Sequence, residues 1–274
     1  MSTAGSIFFL MTAVLYAAAT CVYLAYLFTH KDRVIAVAER LLFGAFALHT
    51  LTLAGRVIYS GRMPVTSLHE SLIFFSWLVV ITNLYLIFRY RQKTLGAFVT
   101  PFALILIITA AFMPGEIIQL SPALKSFWLF MHVTIAFLGN AFFAIAFFLG
   151  VMYVIQERYL KTRKLKGLFF IMPSLDTLDE LNYKFLQYGF TLLTLAIISG
   201  AVWSQYTYGS YWDWKPRQIW SVITWFLYAA LLHGRLTSGW RGRTAAIFSG
   251  IAFLVLIGSF FIIRLIMGGA HGFK

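Results

Sequence analysis

Apolar residues occur along this chain in unbroken runs rather than in alternation. Eight runs are long enough to cross a bilayer, near residues 7–28, 41–60, 71–89, 95–113, 127–156, 184–204, 217–234 and 244–268. A hydrocarbon core about 30 Å thick needs roughly 20 apolar residues at a rise of about 1.5 Å each. Inside it, a single segment satisfies its own backbone hydrogen bonds only as a helix. The pattern predicts an all-α, polytopic membrane protein with about eight transmembrane helices, forming one integral-membrane domain over 1–274. The second run is the least apolar, and no sequence repeat relates one part of the chain to another.

The polar segments between the runs divide by charge. One alternating set holds fifteen of the 22 Lys and Arg residues, from Lys31 and Arg33 through Arg89–Lys93 and Arg158–Lys166 to Arg241 and Arg243. The other set holds the remaining seven: Arg56, Arg62, Lys125, Lys215, Arg217, Arg264 and Lys274. Cytoplasmic loops carry the excess of Lys and Arg, so both termini are expected to face outward. The long basic connection, about 157–183, is the expected cytoplasmic loop. Its second half, Pro173 to Leu181, carries Asp176, Asp179 and Glu180. Acidic residues there suit a helix N-terminus, so it reads as a short interfacial helix or as a solvated connector.

Composition narrows the class. Hydrophobic residues make up 61% and charged residues 11%, against roughly 45–50% and about 25% in soluble domains. With a mean hydropathy of +0.82, a soluble globular protein, a disordered chain and a coiled coil are excluded. The net charge of +13 would suggest nucleic acid in a soluble protein. Here no basic run has the polar, aromatic-interleaved setting that such binding needs, so the balance reads as loop orientation and contact with anionic lipid. The one cysteine, Cys21, lies in an apolar run and reads as inert packing. The chain therefore has no disulfide framework and no Cys-x-x-Cys-His haem-attachment motif of its own. The first apolar run is too long for a signal peptide and lacks a basic segment before it, so no cleavable leader is expected.

Six histidines carry the candidate chemistry. His132 lies about one turn into the fifth run, and His271 follows the eighth run in a glycine-rich tail; both are expected outside. His233 lies at the inner end of the seventh run. His49 is about nine residues into the second run, roughly 13 Å deep at the helical rise. His69 and His30 fall in an outer and an inner loop. Ionisable groups at membrane depth are costly and usually functional. Two imidazoles on one face make a poor zinc site, because no carboxylate cluster completes it. They suit a haem, whose iron offers two axial positions.

An aromatic surface accompanies them. Residues 203–220 carry Trp203, Trp212, Trp214 and Trp220, four of the eight tryptophans, with Lys215 and Arg217 among them. An interfacial belt also collects tryptophans, but it spreads over many helix ends on both faces. A flat aromatic shelf with two cations fits a flat macrocycle bearing two propionates.

The stretches Gly200–Trp203, Gly209-Ser210-Tyr211-Trp212-Asp213-Trp214-Lys215-Pro216-Arg217-Gln218-Ile219-Trp220-Ser221, Ile223-Thr224-Trp225 and Leu232-His233 resemble the tryptophan-rich "WWD" signature of haem-handling proteins. The chain looks most like the CcsA (ResC-like) family of system II cytochrome c biogenesis. Gly61–Leu72, Met131-His132-Val133 and Pro173–Tyr183 match as well. One departure concerns the loop: the family usually reads Trp-Asp-Pro-Lys-Glu, whereas Trp214 is followed here by Lys215-Pro216-Arg217-Gln218.

The resemblance implies axial haem ligands at His132 and His271 on the outer face, and a transmembrane ligand at His233. It implies a CcsB/ResB-like membrane partner in a bacterial cytoplasmic membrane, and an apocytochrome c presenting Cys-x-x-Cys-His. Haem b would be the transported ligand and substrate, and the chain would be part of a cytochrome c haem lyase (holocytochrome c synthase). Three other readings stand beside it. A haem-handling subunit of another maturation system shares the tryptophan signature. A transporter would use histidines as proton relays and needs broken helices, for which Pro101 is the one candidate. An electron-transfer cytochrome places two histidines on one helix, and no run here has two.

Overall fold

A computed structural model describes residues 3–115, 127–163 and 167–268. Among them, all regular structure is helical: α1 Thr3–Thr29, α2 Asp32–Ser60, α3 Leu68–Tyr90, a 3-10 turn Lys93–Leu95 running into α4 Gly96–Ala111, α5 Phe127–Lys161, α6 Leu168–Ile171, α7 Leu175–Tyr208, α8 Pro216–Thr237 and α9 Arg243–Gly268. The eight apolar runs fall on α1–α5 and α7–α9. Seven helices, α1–α5, α7 and α8, are long and apolar enough to cross a membrane, α4 counted with its preceding turn. The eighth, α9, is helical over 26 residues and apolar over Arg243–Ser259.

Two boundaries differ from the sequence expectation. The segment anticipated as a separate interfacial helix is the beginning of α7. Ser174 caps that helix, its hydroxyl accepting from Thr177 N at 3.3 Å, and Asp176 lies in the first turn. No proline interrupts this segment, and the helix runs on for 34 residues through Gly189 and Gly200, about 51 Å at the helical rise. The basic connection accordingly narrows to 162–174, broken by the single turn of α6. Likewise α2 begins at Asp32, which places His49 in the middle of a long helix. Cys21 is exposed on α1 rather than packed inside.

Short connections make successive long helices antiparallel. One end of the bundle gathers the starts of α3, α5 and α8 and the ends of α2, α4 and α7; it holds the tryptophan segment and is called here the tryptophan end. The opposite, basic end carries Lys31, Arg91, Lys161, Arg241 and Arg243.

Two cores share α3 and α4. Tyr16, Tyr23, Leu42, Ala45, Val80 and Ile107 form one, between α1, α2 and the facing sides of α3 and α4. Phe143, Leu149, Phe185, Tyr228 and Phe253 belong to the other, which joins α5, α7, α8 and α9. The Phe143 and Tyr228 rings stack at 3.5 Å. Among the described residues, the α5–α7 pair is the most extensive. It depends on small residues: a Cβ on Gly189 would stand 2.6 Å from the Phe143 ring and 3.1 Å from the Gly139 carbonyl. Close backbone approach of this kind is how membrane helices gain packing without a hydrophobic driving force.

Each end is tied by a charged node. At the tryptophan end, Glu70 Oε1 accepts from Arg56 Nε at 3.1 Å and Nη2 at 3.0 Å. Its Oε2 accepts from Arg62 Nη1 at 2.9 Å and from Thr66 N at 3.1 Å. Arg56 Nη2 also donates to the Gly115 carbonyl at 3.2 Å, reaching the segment that leads to α5. At the basic end, Arg235 pairs with both Asp179 carboxylate oxygens at 2.8 and 2.6 Å, and Gly242 N donates to the same carboxylate at 2.8 Å. Trp240 lies against Gly234 and stacks on Phe248 at 4.9 Å, so it belongs to this packing.

Candidate functional site

His132 sits on the second turn of α5 at the tryptophan end, half-buried against α7. Its Nδ1 lies 2.8 Å from the Ala196 carbonyl oxygen. A carbonyl only accepts, so Nδ1 carries a proton, and in the neutral ring Nε2 carries the lone pair. This is how metal-binding imidazoles are oriented: the far nitrogen donates to a carbonyl, and the near one faces the metal. The ring rests on Gly200, where a Cβ would stand 2.6 Å from His132 Cε1. Only glycine leaves space for the imidazole there.

The tryptophan segment follows at the end of α7. Trp203 lies on α7, edge-on to Tyr208 at 5.6 Å. Gly209 ends the helix in the left-handed region, with its N–H on the Gln205 carbonyl. The anticipated loop 203–220 therefore narrows to 209–215, with Trp203 on α7 and Trp220 on α8. Within the loop, Trp212 and Trp214 meet edge to face at 5.8 Å. Trp214 is 71% exposed and has φ +55°. A bulky side chain in the left-handed region costs of order 1–3 kcal/mol and persists where surroundings over-determine it.

Those surroundings are visible. Gln218 Oε1 accepts from Asp213 N and Lys215 N, both at 3.1 Å, and Pro216 opens α8. Lys215 Nζ pairs with Asp213 at 2.9 Å and lies 4.4 Å over the Tyr208 ring. Hydrogen bonds from Lys215 and Ser210 hold the Asp213 carboxyl below the usual carboxylate range. Arg217, in the first turn of α8, is an electrostatic neighbour of His132. Trp128 of α5 stacks with Tyr206 of α7 at 6.3 Å and widens the aromatic surface.

This arrangement suits haem. The indole N–H groups of Trp203 and Trp212 are buried without an acceptor, although buried donors normally find one. Two unfilled donors, Arg217 and Lys215, the last also paired with Asp213, give this end of the bundle positive and hydrogen-bonding groups for carboxylates, along with the His132 imidazole and the aromatic faces. Among the described residues, no three His, Cys, Asp or Glu side chains group to hold a bare metal ion.

The anticipated residues are only partly brought together. His132, Trp203, Trp212 and Trp214 gather at one end, with Trp220 on the α8 turn beside them. His271 lies outside the described residues. His233 is exposed near the basic end of α8, in line with exposed Ile219, Ile223, Phe226 and Leu236; about 26 Å of helix separates it from the loop. His49 and His69 are buried in the first four helices, His49 Nδ1 at 3.2 Å from Tyr16 OH and His69 Nδ1 donating to Ala110 O at 2.8 Å. Gly200, Gln218 and Glu70 stand in the sequence only as members of matching stretches, and the structure gives each of them a role. Of these Glu70 was legible, because Ser67-x-x-Glu70 before an apolar run is a capping-box signature, and both of its reciprocal bonds form.

Residues 65–271 match the family model described as cytochrome C assembly protein. Proteins named cytochrome c biogenesis protein CcsA are similar over most of the chain. One from Guillardia theta is 33% identical, with 82% of this chain and 81% of the relative covered. One from Chlamydomonas reinhardtii is 37% identical, covering 78% of this chain and 62% of the relative. One from Prochlorococcus marinus strain MIT 9312 is 33% identical, covering 82% and 81%. Among solved structures, cytochrome c heme lyase CcmF superposes with a TM-score of 0.66 at 17% identity, over 96% of this chain. The chain spans about half of that structure's length, 49%, and the likeness is one of fold.

Proposed function

This chain belongs to the cytochrome C assembly protein family, and from that premise we propose that it carries haem b across a membrane and presents it for attachment to apocytochrome c. The observation that carries the reading is the His132–Ala196 hydrogen bond of 2.8 Å beneath the tryptophan loop. It holds Nδ1 as the donor and leaves Nε2 for a ligand, at the end of the bundle that carries the aromatic faces and two cations. In this reading His132 and His271 are the two axial ligands on the outer face. Trp203, Trp212, Trp214 and Trp220 bound the plane of the ring, and Lys215 and Arg217 meet the propionates.

His233 is the entry ligand. An imidazole on an otherwise apolar, exposed helix face needs a partner, and a CcsB/ResB-like membrane protein supplies it. The tryptophan end faces outward in a bacterial cytoplasmic membrane, consistent with the segregation of fifteen cations at the opposite side. An apocytochrome then brings its Cys-x-x-Cys-His segment to the loop. Each thiol S–H adds across a haem vinyl group, forming a C–S bond while the hydrogen goes to the neighbouring carbon. Axial imidazoles hold the iron, and the loop fixes which face is offered, so the contribution of this chain is orientation and exclusion of side reactions.

The test is haem content and absorption spectrum of the purified protein, with His132→Ala beside the unsubstituted chain. Unchanged haem in that variant removes the proposal.

A further inference from the structure

The first four helices hold a second gathering of polar groups, which the haem site does not use. On one face of α1, Thr12, Tyr16, Thr20 and Tyr23 recur about once per turn. On the neighbouring helices, α2 carries Glu39, His49, Thr52 and Arg56, and α3 carries His69, Glu70 and Asn83. Tyr16, Tyr23 and Asn83 are wholly buried. Asn83 shares a helix face with Val80, Leu84 and Ile87, which join the α1–α2 core. From Glu39 to Arg56 the polar positions extend about 26 Å along α2, most of a hydrocarbon thickness of about 30 Å.

Few of these groups bond to each other. Thr12 and Thr52 hydroxyls meet at 3.3 Å, Tyr16 OH and His49 Nδ1 at 3.2 Å, and Lys93 Nζ reaches Glu39 Oε2 at 2.9 Å. Glu39 is also an electrostatic neighbour of Tyr23. Yet Thr20 Oγ1, Tyr23 OH, Glu39 Oε1, His49 Nε2, Arg56 Nη1, His69 Nε2 and both amide atoms of Asn83 are buried without a well-formed hydrogen bond, the Ile73 backbone standing beside the His49 ring. Water is what ordinarily satisfies such atoms. One helical turn, about 5.4 Å, is too long for a direct hydrogen bond and matches two bonds through one water.

The two ends of the seam differ. At the basic end, Glu39 offers an unpaired carboxylate oxygen. At the tryptophan end, Arg56 and Arg62 outnumber Glu70, leaving one net positive charge. The segment of α4 packed here contributes no charged group, and its Thr100 hydroxyl is spent on the Gly96 carbonyl. Fixed guanidinium charge in a narrow path is a barrier to protons.

We propose that this seam holds a file of waters that delivers protons from the basic end to His49, and that the guanidinium pair closes it at the tryptophan end. A proton taken up by Glu39 passes through water past Tyr23, Asn83 and Thr20 to His49 Nε2. The imidazolium returns to neutrality by releasing the proton from Nε2 the way it came; only where the guanidinium pair is removed does its Nδ1 proton pass to the Tyr16 oxygen while that hydroxyl gives its own to a water toward Thr12. Each group gains one proton and loses one.

Two measurements test this on the full chain. In X-ray hydroxyl-radical labelling, read by mass spectrometry, water in the seam gives Tyr16 and Tyr23 several-fold more modification than Phe143 and Phe185, which are equally buried in the other core. In liposomes with an enclosed pH dye and an imposed potassium diffusion potential, the unsubstituted chain passes no more protons than empty vesicles. Arg56→Gln, or Arg62→Gln if the first does not accumulate, raises the flux several-fold, and adding His49→Phe returns it to background. The proposal is overturned if the two tyrosines label no more than the phenylalanines. It is equally overturned by an unsubstituted chain that conducts, by a silent Arg variant, or by a double variant that conducts like the single one. Haem content is not read in either experiment, so the haem proposal stands or falls separately.

Discussion

The imidazole of His132 and the backbone of Ala196 are joined across α5 and α7 by a 2.8 Å hydrogen bond. One carbonyl thereby selects the tautomer, the ring plane and the nitrogen left for a ligand. The Ser199 hydroxyl donates to the same oxygen at 3.1 Å, so the acceptor is itself held in place.

Gly200 is the contact that this geometry tolerates least. A methyl group there would stand 2.6 Å from His132 Cε1 and push the ring off its acceptor. A displacement near 1 Å at a positioned group costs roughly 100-fold in rate. Gly200→Ala is expected to accumulate normally in membranes yet lose cytochrome c maturation to that order, measured by haem-stained cytochrome c in a strain lacking the native gene. Full maturation would mean that His132 has another resting place.

Much of the architecture is legible in the sequence because hydrocarbon imposes one solution on a long apolar run. Eight runs therefore become eight helices with few surprises. What composition cannot show is how far a helix continues into water: α7 starts at Leu175 because Ser174 caps it, and an apolar count begins only near residue 184. The chemistry of the site divides in the same way. Trp212, Trp214 and His132 stand out as residue types in an unusual place. Gly200 and the Ala196 carbonyl do not, because their role is to be a missing side chain and a backbone atom, and only the α5–α7 packing reveals them.

Tryptophans bound to a macrocycle and tryptophans in a belt respond differently to substitution. Trp212→Ala and Trp214→Ala are expected to lose most of the haem while still inserting, and Phe at either position to keep part of it. Trp240→Ala should lower abundance, since that ring packs on Gly234 and Phe248, yet leave haem per protein unchanged. The measurement is haem normalised to membrane-inserted protein, and equal loss in all three alanine variants would favour the belt.

Glu70 accepts from two guanidinium groups while wholly buried. Removing one partner of a buried pair strands the other at a cost of about 3–5 kcal/mol. Glu70→Gln should therefore lower the thermal unfolding midpoint in detergent clearly, while Glu180→Gln, in an exposed pair, should leave it within error. Equal midpoints would show the node to be dispensable.

The orientation follows from the cation segregation. A reporter active only outside the cytoplasm should work when placed at 209–215 and fail when placed at 162–163. The reverse outcome would turn the molecule over and move the proposed haem site to the wrong face.

The most direct measurement is the absorption spectrum of the purified protein, oxidised and reduced, for the unsubstituted chain and for His132→Ala with and without added imidazole. The account predicts a six-coordinate haem spectrum in the first, several-fold less haem and an altered spectrum in the second, and partial recovery of both with imidazole, which replaces the axial nitrogen. Full haem with an unaltered spectrum in His132→Ala would contradict it.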